Sequence, residues 1–345
     1  MNTKEVISSL FTRKRKNLSN INELNKSPNV IINYNLPIGD YLSLSPVIDA
    51  ILYKWHSANI YIICSNNTLC LVKSDPRVKP LCFPDKKRAW QYPSYCKKVA
   101  SNVGDIDLLI EPCKLNRSFR SLIGYCLQPH LTIGLYWDKY KSIAQPIHLN
   151  PELRLTQLSK PKMYCKMLQD YGFDVISNSY KVYENNESRR TVERYLNENN
   201  IQSYIIINPF ASTIKRTLNL SQVKNIIVKL NKTNKSIILL IPPYIENSQV
   251  WKNLDNNIIC PPINNIMDSV SYVKNSTLVI SVDTSIVHIA SSFNKPTIAL
   301  YREQDLAKSC WLPTADQHET FSLTVEPELI LETVNQLYNT KTYQS

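Results

Sequence analysis

Residues 278–301 read LVISVDTSIVHIASSFNKPTIALY, and this stretch decides the fold. Leu278 to Val282 is a short apolar run bounded by polar residues, which predicts a buried strand. Apolar residues then recur at three- and four-residue steps, which indicates a short amphipathic helix. The triplet Asn294-Lys295-Pro296 ends that helix because proline cannot continue it. Thr297 to Tyr301 is a second β-rich run, and a strand–helix–strand unit almost always joins parallel strands.

The polar turn between this strand and this helix consists of Asp283, Thr284 and Ser285. Hydroxyls and backbone amides at a helix N-terminus lie at the positive end of the helix dipole, so such a turn can bind an anion. Ordinary N-capping by Asp283 or Thr284 is the alternative, since both residue types cap helices often. The turn alone leaves both interpretations open.

The same stretch resembles the C-terminal signature of the ADP-heptose:lipopolysaccharide heptosyltransferase family. That signature runs Asp-Thr-Gly, two residues, His, a helix of small residues, Lys or Arg-Pro and a final strand. The sequence departs from it at Ser285, where the family has glycine, and at Arg302, where the family usually has a second glycine. These departures leave another nucleotide sugar as an alternative donor. The matching positions are Asp283, Thr284, His288, Ala290 and Pro296.

The length of 345 residues suggests about two domains, and the net charge is +12. A basic balance implies an anionic partner, which is nucleic acid, an acidic membrane surface or a phosphorylated substrate.

The nine cysteines are scattered without a CxxC pair or a His-Cys cluster, so we expect free thiols in a reducing cytosol and no metal site. The sequence has no run of 18 or more apolar residues and no signal-peptide pattern, which predicts a cytoplasmic protein without a membrane span.

Residues 1–27 form a polar and basic N-terminal tail. Apolar residues between Val6 and Phe11 can share one helix face, and a run of four cations follows at 13–16. A short amphipathic helix of this kind can lie on anionic lipid, which would give peripheral contact with the inner membrane. A solvated, partly disordered tail is the alternative.

The first convincing strand runs from Asn29 to Tyr34 and is followed by a turn that contains Gly39 and Asp40. A helix from Tyr41 to Tyr53 and a strand from Ala58 to Cys64 complete a βαβ unit. Asp40 then lies at the carboxyl end of a strand, which is where ligands bind in open parallel sheets. An ordinary N-cap is the alternative role.

The segment IGDYLSLSPVIDAI around this turn resembles the N-terminal signature of the same family. In that signature Gly-Asp precedes an apolar helix with a proline near its start, and Gly39, Asp40 and Pro46 match. The resemblance implies that Asp40 is the general base.

A second βαβ start begins at the apolar strand Tyr204 to Asn208. The following loop contains Ser212, Thr213, Lys215 and Arg216, so two hydroxyls and two cations lie within five residues. Cations neutralise phosphate oxygens and hydroxyls donate hydrogen bonds to them, which suits a diphosphate. A solvated basic loop is the alternative.

The heptosyltransferases have a comparable loop with the pattern Lys-Arg/His-Trp-Pro. Lys215 and Arg216 match its first two positions, and Thr217 and Leu218 replace the tryptophan and the proline. The resemblance implies that Lys215 contacts the donor and takes part in catalysis.

Two further donor-binding positions come from the resemblance alone. Glu246 lies a few residues past the strand Ser236 to Ile241, where the family has an acidic residue that binds the donor ribose. A carboxylate can accept both vicinal hydroxyls of a ribose, although an ordinary surface glutamate is the alternative. Met267 lies in a segment that lines the adenine pocket in the family, and core packing is the alternative for its side chain.

These features predict an α/β protein, and the resemblance specifies the GT-B fold, in which two Rossmann-like doubly wound domains face each other across a cleft. The predicted parts are the basic tail 1–27, an acceptor-binding domain 28–178, a nucleotide-sugar-binding domain 190–325 and a C-terminal segment 326–345. We expect the helix in the last segment to pack back on the first domain. The polar segment between the two domains reads as a linker.

The resemblance implies inverting transfer of heptose from ADP-heptose to the inner core of lipopolysaccharide, an anionic acceptor. The donor is a substrate, and no metal or other cofactor is expected. A related enzyme with another nucleotide sugar and a non-catalytic basic binding protein are the alternatives, and no recognisable nucleic-acid module supports a nucleic-acid partner. The implied catalytic residues are Asp40 and Lys215. The implied donor-binding residues are Ser212, Thr213, Lys215, Glu246, Met267, Asp283, Thr284, Ser285 and His288.

Overall fold

The computed structural model describes residues 18, 20–34, 37–83, 91–112, 123–124, 126–134, 158–246, 248–306 and 309–342. The chain divides into two compact units, Met1–Asn178 and Ser179–Ser345. Each unit contains one parallel β-sheet. We predicted residues 176–190 to be the linker, and those from Ser179 onward belong to the second unit. The predicted lipid-binding helix of the tail lies outside the described residues. None of the helices in the described ranges has the length and apolar content needed to span a bilayer.

The first unit is a five-stranded parallel sheet with the strand order β3-β2-β1-β4-β5. Its strands are β1 (Asn29–Asn33), β2 (Asn59–Cys64), β3 (Lys79–Cys82), β4 (Leu108–Glu111) and β5 (Leu131–Gly134). Its helices are α1 (Ile38–Leu42), α2 (Ser45–Lys54), α3 (Asn66–Ser74), α4 (Tyr92–Val103) and α5 (Lys160–Asp170). This is the strand order of a doubly wound Rossmann-like domain.

The second unit is a six-stranded parallel sheet with the order β11-β10-β9-β6-β7-β8. Its strands are β6 (Tyr204–Asn208), β7 (Ser236–Leu239), β8 (Ile258–Ile259), β9 (Leu278–Val282), β10 (Thr297–Tyr301) and β11 (His318–Ser322). Its helices are α6 (Asn186–Glu198), α7 (Leu220–Leu230), α8 (Ser248–Lys252), α9 (Ile266–Asn275), α10 (Ser285–Ser292), α11 (Glu303–Leu306) and α12 (Pro327–Thr342).

The central strands of both sheets are buried along their whole length or nearly so, as in β4, β6, β9 and β10. Parallel strands covered by helices on both faces read as continuous apolar runs, which is the pattern that predicted them. The strand order reverses between β1 and β4 in the first unit and between β6 and β9 in the second. Ligands of open α/β sheets bind at the carboxyl ends of the strands at such a reversal.

The predicted helix from Tyr41 to Tyr53 is wrong, because the segment forms two helices, α1 and α2. Pro46 explains the break, since it lacks a backbone N–H and fits the first turn of a new helix. Asp40, which we placed in the preceding turn, is consequently a residue of the short helix α1.

The C-terminal helix α12 belongs to the second unit. That it also packs back on the first domain, as we expected, stays a prediction. Its buried residues Ile330, Val334 and Leu337 recur at helical spacing and join the core cluster that includes Val223 and Ile227 of α7. An ion pair between Lys229 and Glu328 accompanies this contact.

A buried charge network holds the helix that carries Asp40. The phenol of Tyr41, the next residue, donates a hydrogen bond to Asp75 Oδ2 at 3.2 Å. Arg77 binds Asp75 with two nitrogens, at 2.9 and 2.7 Å, and donates to Asp49 Oδ1 at 2.7 Å. The three charged side chains are 3 to 11% exposed. Burial raises the pKa of Tyr41 well above its ordinary value, so this phenol stays protonated and keeps donating.

We predict that Arg77→Met lowers the free energy of unfolding by about 3–5 kcal/mol, because it leaves two buried carboxylates without their cation. Urea denaturation checks the value. Lys73→Met is the matched control, since Lys73 is an exposed cation of α3, and we expect a change within about 0.5 kcal/mol. Equal losses in the two variants would contradict a stabilising role for the Arg77 network.

Candidate active site

The two loops predicted to bind an anion lie side by side in the second unit, at the reversal between β6 and β9. Asn208, the last residue of β6, connects them through its side-chain amide. The amide nitrogen donates to Ser281 Oγ at 3.0 Å and to Thr284 Oγ1 at 3.1 Å. Thr284 in turn caps helix α10, because its hydroxyl accepts the backbone N–H of Ile286 at 3.3 Å.

Arg216 joins the same two loops through its guanidinium. One terminal nitrogen donates to Ser212 Oγ at 2.6 Å and Nε donates to Thr213 Oγ1 at 3.3 Å, both within the loop after β6. The other terminal nitrogen forms an ion pair with Asp283 Oδ2 at 3.1 Å in the turn after β9. One cation thus fixes three of the predicted site residues relative to one another.

Asp283 is 9% exposed. Burial raises the pKa of its carboxyl above the ordinary value, and the hydrogen bond and charge of Arg216 act in the opposite direction. Arg216 therefore supports the carboxylate form at a position where burial alone disfavours it.

Lys215 precedes this arginine in a short 3₁₀ turn, Ile214–Arg216, and its side chain is exposed. It lines an open pocket of about 610 Å³ together with Arg302, Glu303 and Gln304. These three residues follow β10, so the pocket receives side chains from the loops of two strands that flank β9. Two cations, a carboxylate and an amide are groups that bind phosphate oxygens and sugar hydroxyls.

Asp40 belongs to the first unit, near the reversal between β1 and β4. It is half-buried in α1, and its backbone carbonyl accepts the hydroxyl of Ser43 at 2.6 Å. At the carboxyl ends of the two strands, Asn33 donates its side-chain amide to Glu111 Oε1 at 2.9 Å. Both of these side chains are buried.

The remaining predicted donor-binding residues differ in exposure. Glu246 is exposed and Ser285 is half-buried at the first position of α10. Met267 is fully buried in α9 and His288 is 2% exposed. Both side chains are therefore packed inside the second unit, and their role in donor binding stays a prediction.

His288 is packed among aromatic rings. Its imidazole stacks on Tyr180, with ring centres 4.4 Å apart, and lies 5.4 Å from the ring of Trp311. Its Nδ1 has no hydrogen-bond partner in the described part of the chain. Burial lowers the pKa of His288 to about 3, so the ring is neutral at physiological pH.

Sequence reasoning missed Asn208 and Ser281, which organise the two loops. A polar residue that ends an otherwise apolar strand, as in YIIIN, is the signal that could have found Asn208. The same signal marks Asn33 in NVIIN and Glu111 in LLIE. No group of three or more potential metal ligands occurs among the residues that the structure describes.

We predict that His288→Phe removes a pH-dependent loss of stability. The folded-state pKa is lower than the ordinary 6.5, so wild-type stability is complete above pH 6.5 and falls as the pH drops from there towards 3. The expected loss is about 1.4 kcal/mol per pH unit, and the phenyl ring keeps the aromatic packing without binding a proton.

Urea denaturation of both proteins at pH 7.5, 6.5, 5.5 and 4.5 checks this prediction. The exposed His56→Phe is the control, and its pH profile should follow the wild type. A constant difference between wild type and His288→Phe at all four pH values would show that His288 is not buried in the neutral form.

Comparison with solved structures shows the fold. A glycosyltransferase family 9 protein from Veillonella parvula superposes with a TM-score of 0.73 at 12% identity, covering 90% of this chain and 97% of that one. The Escherichia coli ADP-heptose lipopolysaccharide heptosyltransferase II gives 0.72 at 12% identity, over 91% and 99% of the two chains. The E. coli heptosyltransferase WaaC with ADP gives 0.70 at 12% identity, over 90% and 99%. The predicted GT-B fold with two Rossmann-like domains is thereby confirmed.

Sequence comparison gives the family. A protein of E. coli K12 named "Putative lipopolysaccharide heptosyltransferase 4" is 24% identical over 283 residues, which are 79% of this chain and 73% of that protein. The family model "Glycosyltransferase family 9 (heptosyltransferase)" matches residues 122–338, which is more than half of the chain. The chain therefore belongs to glycosyltransferase family 9, the heptosyltransferase family, and is a glycosyltransferase.

Proposed function

We propose that this enzyme transfers heptose, with inversion, from ADP-heptose to the inner core of lipopolysaccharide. The observation that supports it most is the pair of loops at the β6–β9 reversal, which Arg216 and Asn208 join and beside which Lys215 is exposed. Related structures include E. coli WaaC with ADP and with ADP-2-deoxy-2-fluoro heptose. The basic net charge of +12 suits both an anionic donor and an anionic acceptor.

In the proposed reaction the second unit binds the donor. The ADP diphosphate gains negative charge as the bond between the anomeric carbon and the phosphate oxygen breaks. Lys215, the hydroxyls of Ser212 and Thr213, and the backbone amides that begin with Thr284 and Ser285 stabilise that charge. One well-placed donor group of this kind can contribute about 3 kcal/mol to the transition state.

In the same proposal the first unit binds the acceptor. Asp40 takes the proton of an acceptor hydroxyl, and the resulting oxygen nucleophile forms a bond to the anomeric carbon while ADP leaves from the opposite face. General base catalysis of this type contributes about 10²- to 10⁴-fold. A single displacement inverts the anomeric configuration.

The other site residues support donor binding in the proposal. Glu246 is exposed, so its carboxylate can accept the ribose hydroxyls. Met267 and His288 are buried and act by supporting the helices that form the adenine and phosphate sites. The reaction uses no cofactor besides the nucleotide sugar, and the enzyme works in the cytoplasm, in peripheral contact with the inner membrane that holds the acceptor.

A related nucleotide sugar is the second candidate donor. Ser285 and Arg302 favour it, since both add a side chain near the phosphate-binding loops, where a glycine would let the backbone approach the phosphate closely. The acceptor class and the roles of Asp40 and Lys215 are the same for both donors.

We predict that ADP and ADP-heptose raise the melting temperature, because a ligand that binds only the native state stabilises it. UDP- and GDP-sugars are measured in parallel. Lys215→Ala should abolish most of the shift by removing a phosphate-binding cation, whereas Lys224→Ala, an exposed lysine of α7, should keep it. A shift with UDP or GDP compounds alone would mean that the donor is a UDP- or GDP-sugar and not ADP-heptose. No shift with any of the nucleotides or nucleotide sugars would contradict the proposed function.

We predict that Asp40→Asn lowers the transfer rate by at least about 100-fold while ADP-heptose binding is unchanged, because the amide cannot accept the proton. Product formation by mass spectrometry gives the rate, and the donor-induced shift in melting temperature gives binding. Asp174→Asn, an exposed aspartate of the same unit, is the control and should be fully active. Normal turnover of Asp40→Asn would exclude Asp40 as the base.

A further inference from the structure

Arg302 directly follows β10 and lies at the same edge of the sheet as the two anion-binding loops. Its Nε donates to Asp305 Oδ2 at 2.5 Å, one turn further along the chain. Its two terminal nitrogens have no partner among the described residues. The side chain is 32% exposed, so its guanidinium is accessible to a ligand.

Asp305 fixes the direction of this guanidinium by accepting a hydrogen bond from its Nε. A partly exposed ion pair of this kind contributes little to stability. It does hold the planar fork in one orientation, with both terminal nitrogens available. A fork of this geometry binds two oxygens of a phosphate group at once.

Arg302 and Lys215 line the same pocket of about 610 Å³. They reach it from the loops after β10 and β6, which lie on either side of β9. A pocket of this volume is in the range that holds a small-molecule ligand, about 300–1,000 Å³. Two cations that reach one pocket from separate loops suit a ligand with two adjacent negative charges.

The local charge balance makes Arg302 necessary for such a ligand. Three carboxylates lie at this edge of the sheet: Asp283, Glu303 and Asp305. Lys215 and Arg216 alone would leave the region net negative, and a diphosphate would be repelled. Arg302 brings the balance to neutral and is the second cation, after Lys215, that lines the pocket.

We infer that Arg302 is a donor-binding residue whose terminal nitrogens bind the diphosphate of the nucleotide sugar on the side opposite Lys215. Glu303 and Gln304 of the same pocket then bind hydroxyls of the transferred sugar and select it. The inference rests on the proposed function, since it takes a nucleoside-diphosphate sugar as the donor.

Arg302→Ala tests the inference through the dissociation constants of ADP, ADP-heptose and adenosine, measured by titration calorimetry. Loss of a charge-assisted contact should weaken ADP and ADP-heptose about 10- to 100-fold and leave adenosine, which has no phosphate, unchanged. Arg302→Lys should recover part of the affinity. Arg194→Ala, an exposed arginine of α6, is the matched control and should bind like the wild type.

Glu303→Ala tests the sugar-selecting part of the inference. It should weaken ADP-heptose but not ADP, because only the former carries the sugar whose hydroxyls the carboxylate accepts. Equal loss of both ligands would overturn that part.

Three outcomes separate the two proposals. If the wild type binds ADP-heptose and Arg302→Ala binds it equally well, the Arg302 inference fails and the proposed function stands. If the wild type binds a different nucleotide sugar, the same Arg302 comparison is made with that donor and its free nucleotide, and equal affinities again overturn the inference. If the wild type binds no nucleotide sugar at all, both proposals fail. Circular dichroism and thermal unfolding of each variant establish that it is folded.

Discussion

The ion pair between Arg216 and Asp283 is the constraint on which the geometry of the second unit's site depends. The two residues are 67 positions apart and belong to loops after different strands, β6 and β9. The other hydrogen bonds of the loop, such as that from the backbone N–H of Ala211 to Thr217 Oγ1, stay within the segment after β6. With the ion pair, the hydroxyls of Ser212 and Thr213 are fixed beside the turn at Asp283.

This pair also decides which cation is available to a ligand. Arg216 uses its fork for two hydroxyls and one carboxylate, so it is a structural cation in the described structure. Lys215 points to the open pocket that Arg302 shares. These two adjacent residues thus have different positions: Arg216 holds the loop, and Lys215 lines the open pocket.

Much of the second unit could be predicted from the sequence. The strands Tyr204–Asn208, Leu278–Val282 and Thr297–Tyr301 have the bounds that their apolar patterns predict. These strands are continuous apolar runs with clear polar ends, and local pattern suffices for them. The split at Pro46 was missed because the apolar spacing continues across it.

The side-chain geometry of the site could not be predicted in the same way. The hydrogen bonds of Asn208 depend on Ser281 and Thr284, which are more than 70 residues away in the sequence. The burial of His288 depends on Tyr180 and Trp311, which come from before and after it in the chain. A motif identifies which residues are present, whereas these contacts are set by packing between distant segments.

The two units use the same position of the fold for different chemistry. Each first central strand ends in asparagine, Asn33 in β1 and Asn208 in β6, and each asparagine donates its amide across the strand-order reversal. In the first unit the acceptor is the buried carboxyl of Glu111. In the second unit the acceptors are the hydroxyls of Ser281 and Thr284. The loop that carries the cationic side chains of Lys215 and Arg216 lies beside them.

An edge with carboxylates repels a diphosphate and accepts hydrogen bonds from alcohols, whereas an edge with hydroxyls and cations does the reverse. In the proposed function this difference places the diphosphate of the donor in the second unit and the acceptor hydroxyl in the first. The division of substrates that we propose for the two units thus follows from which side chain each asparagine meets.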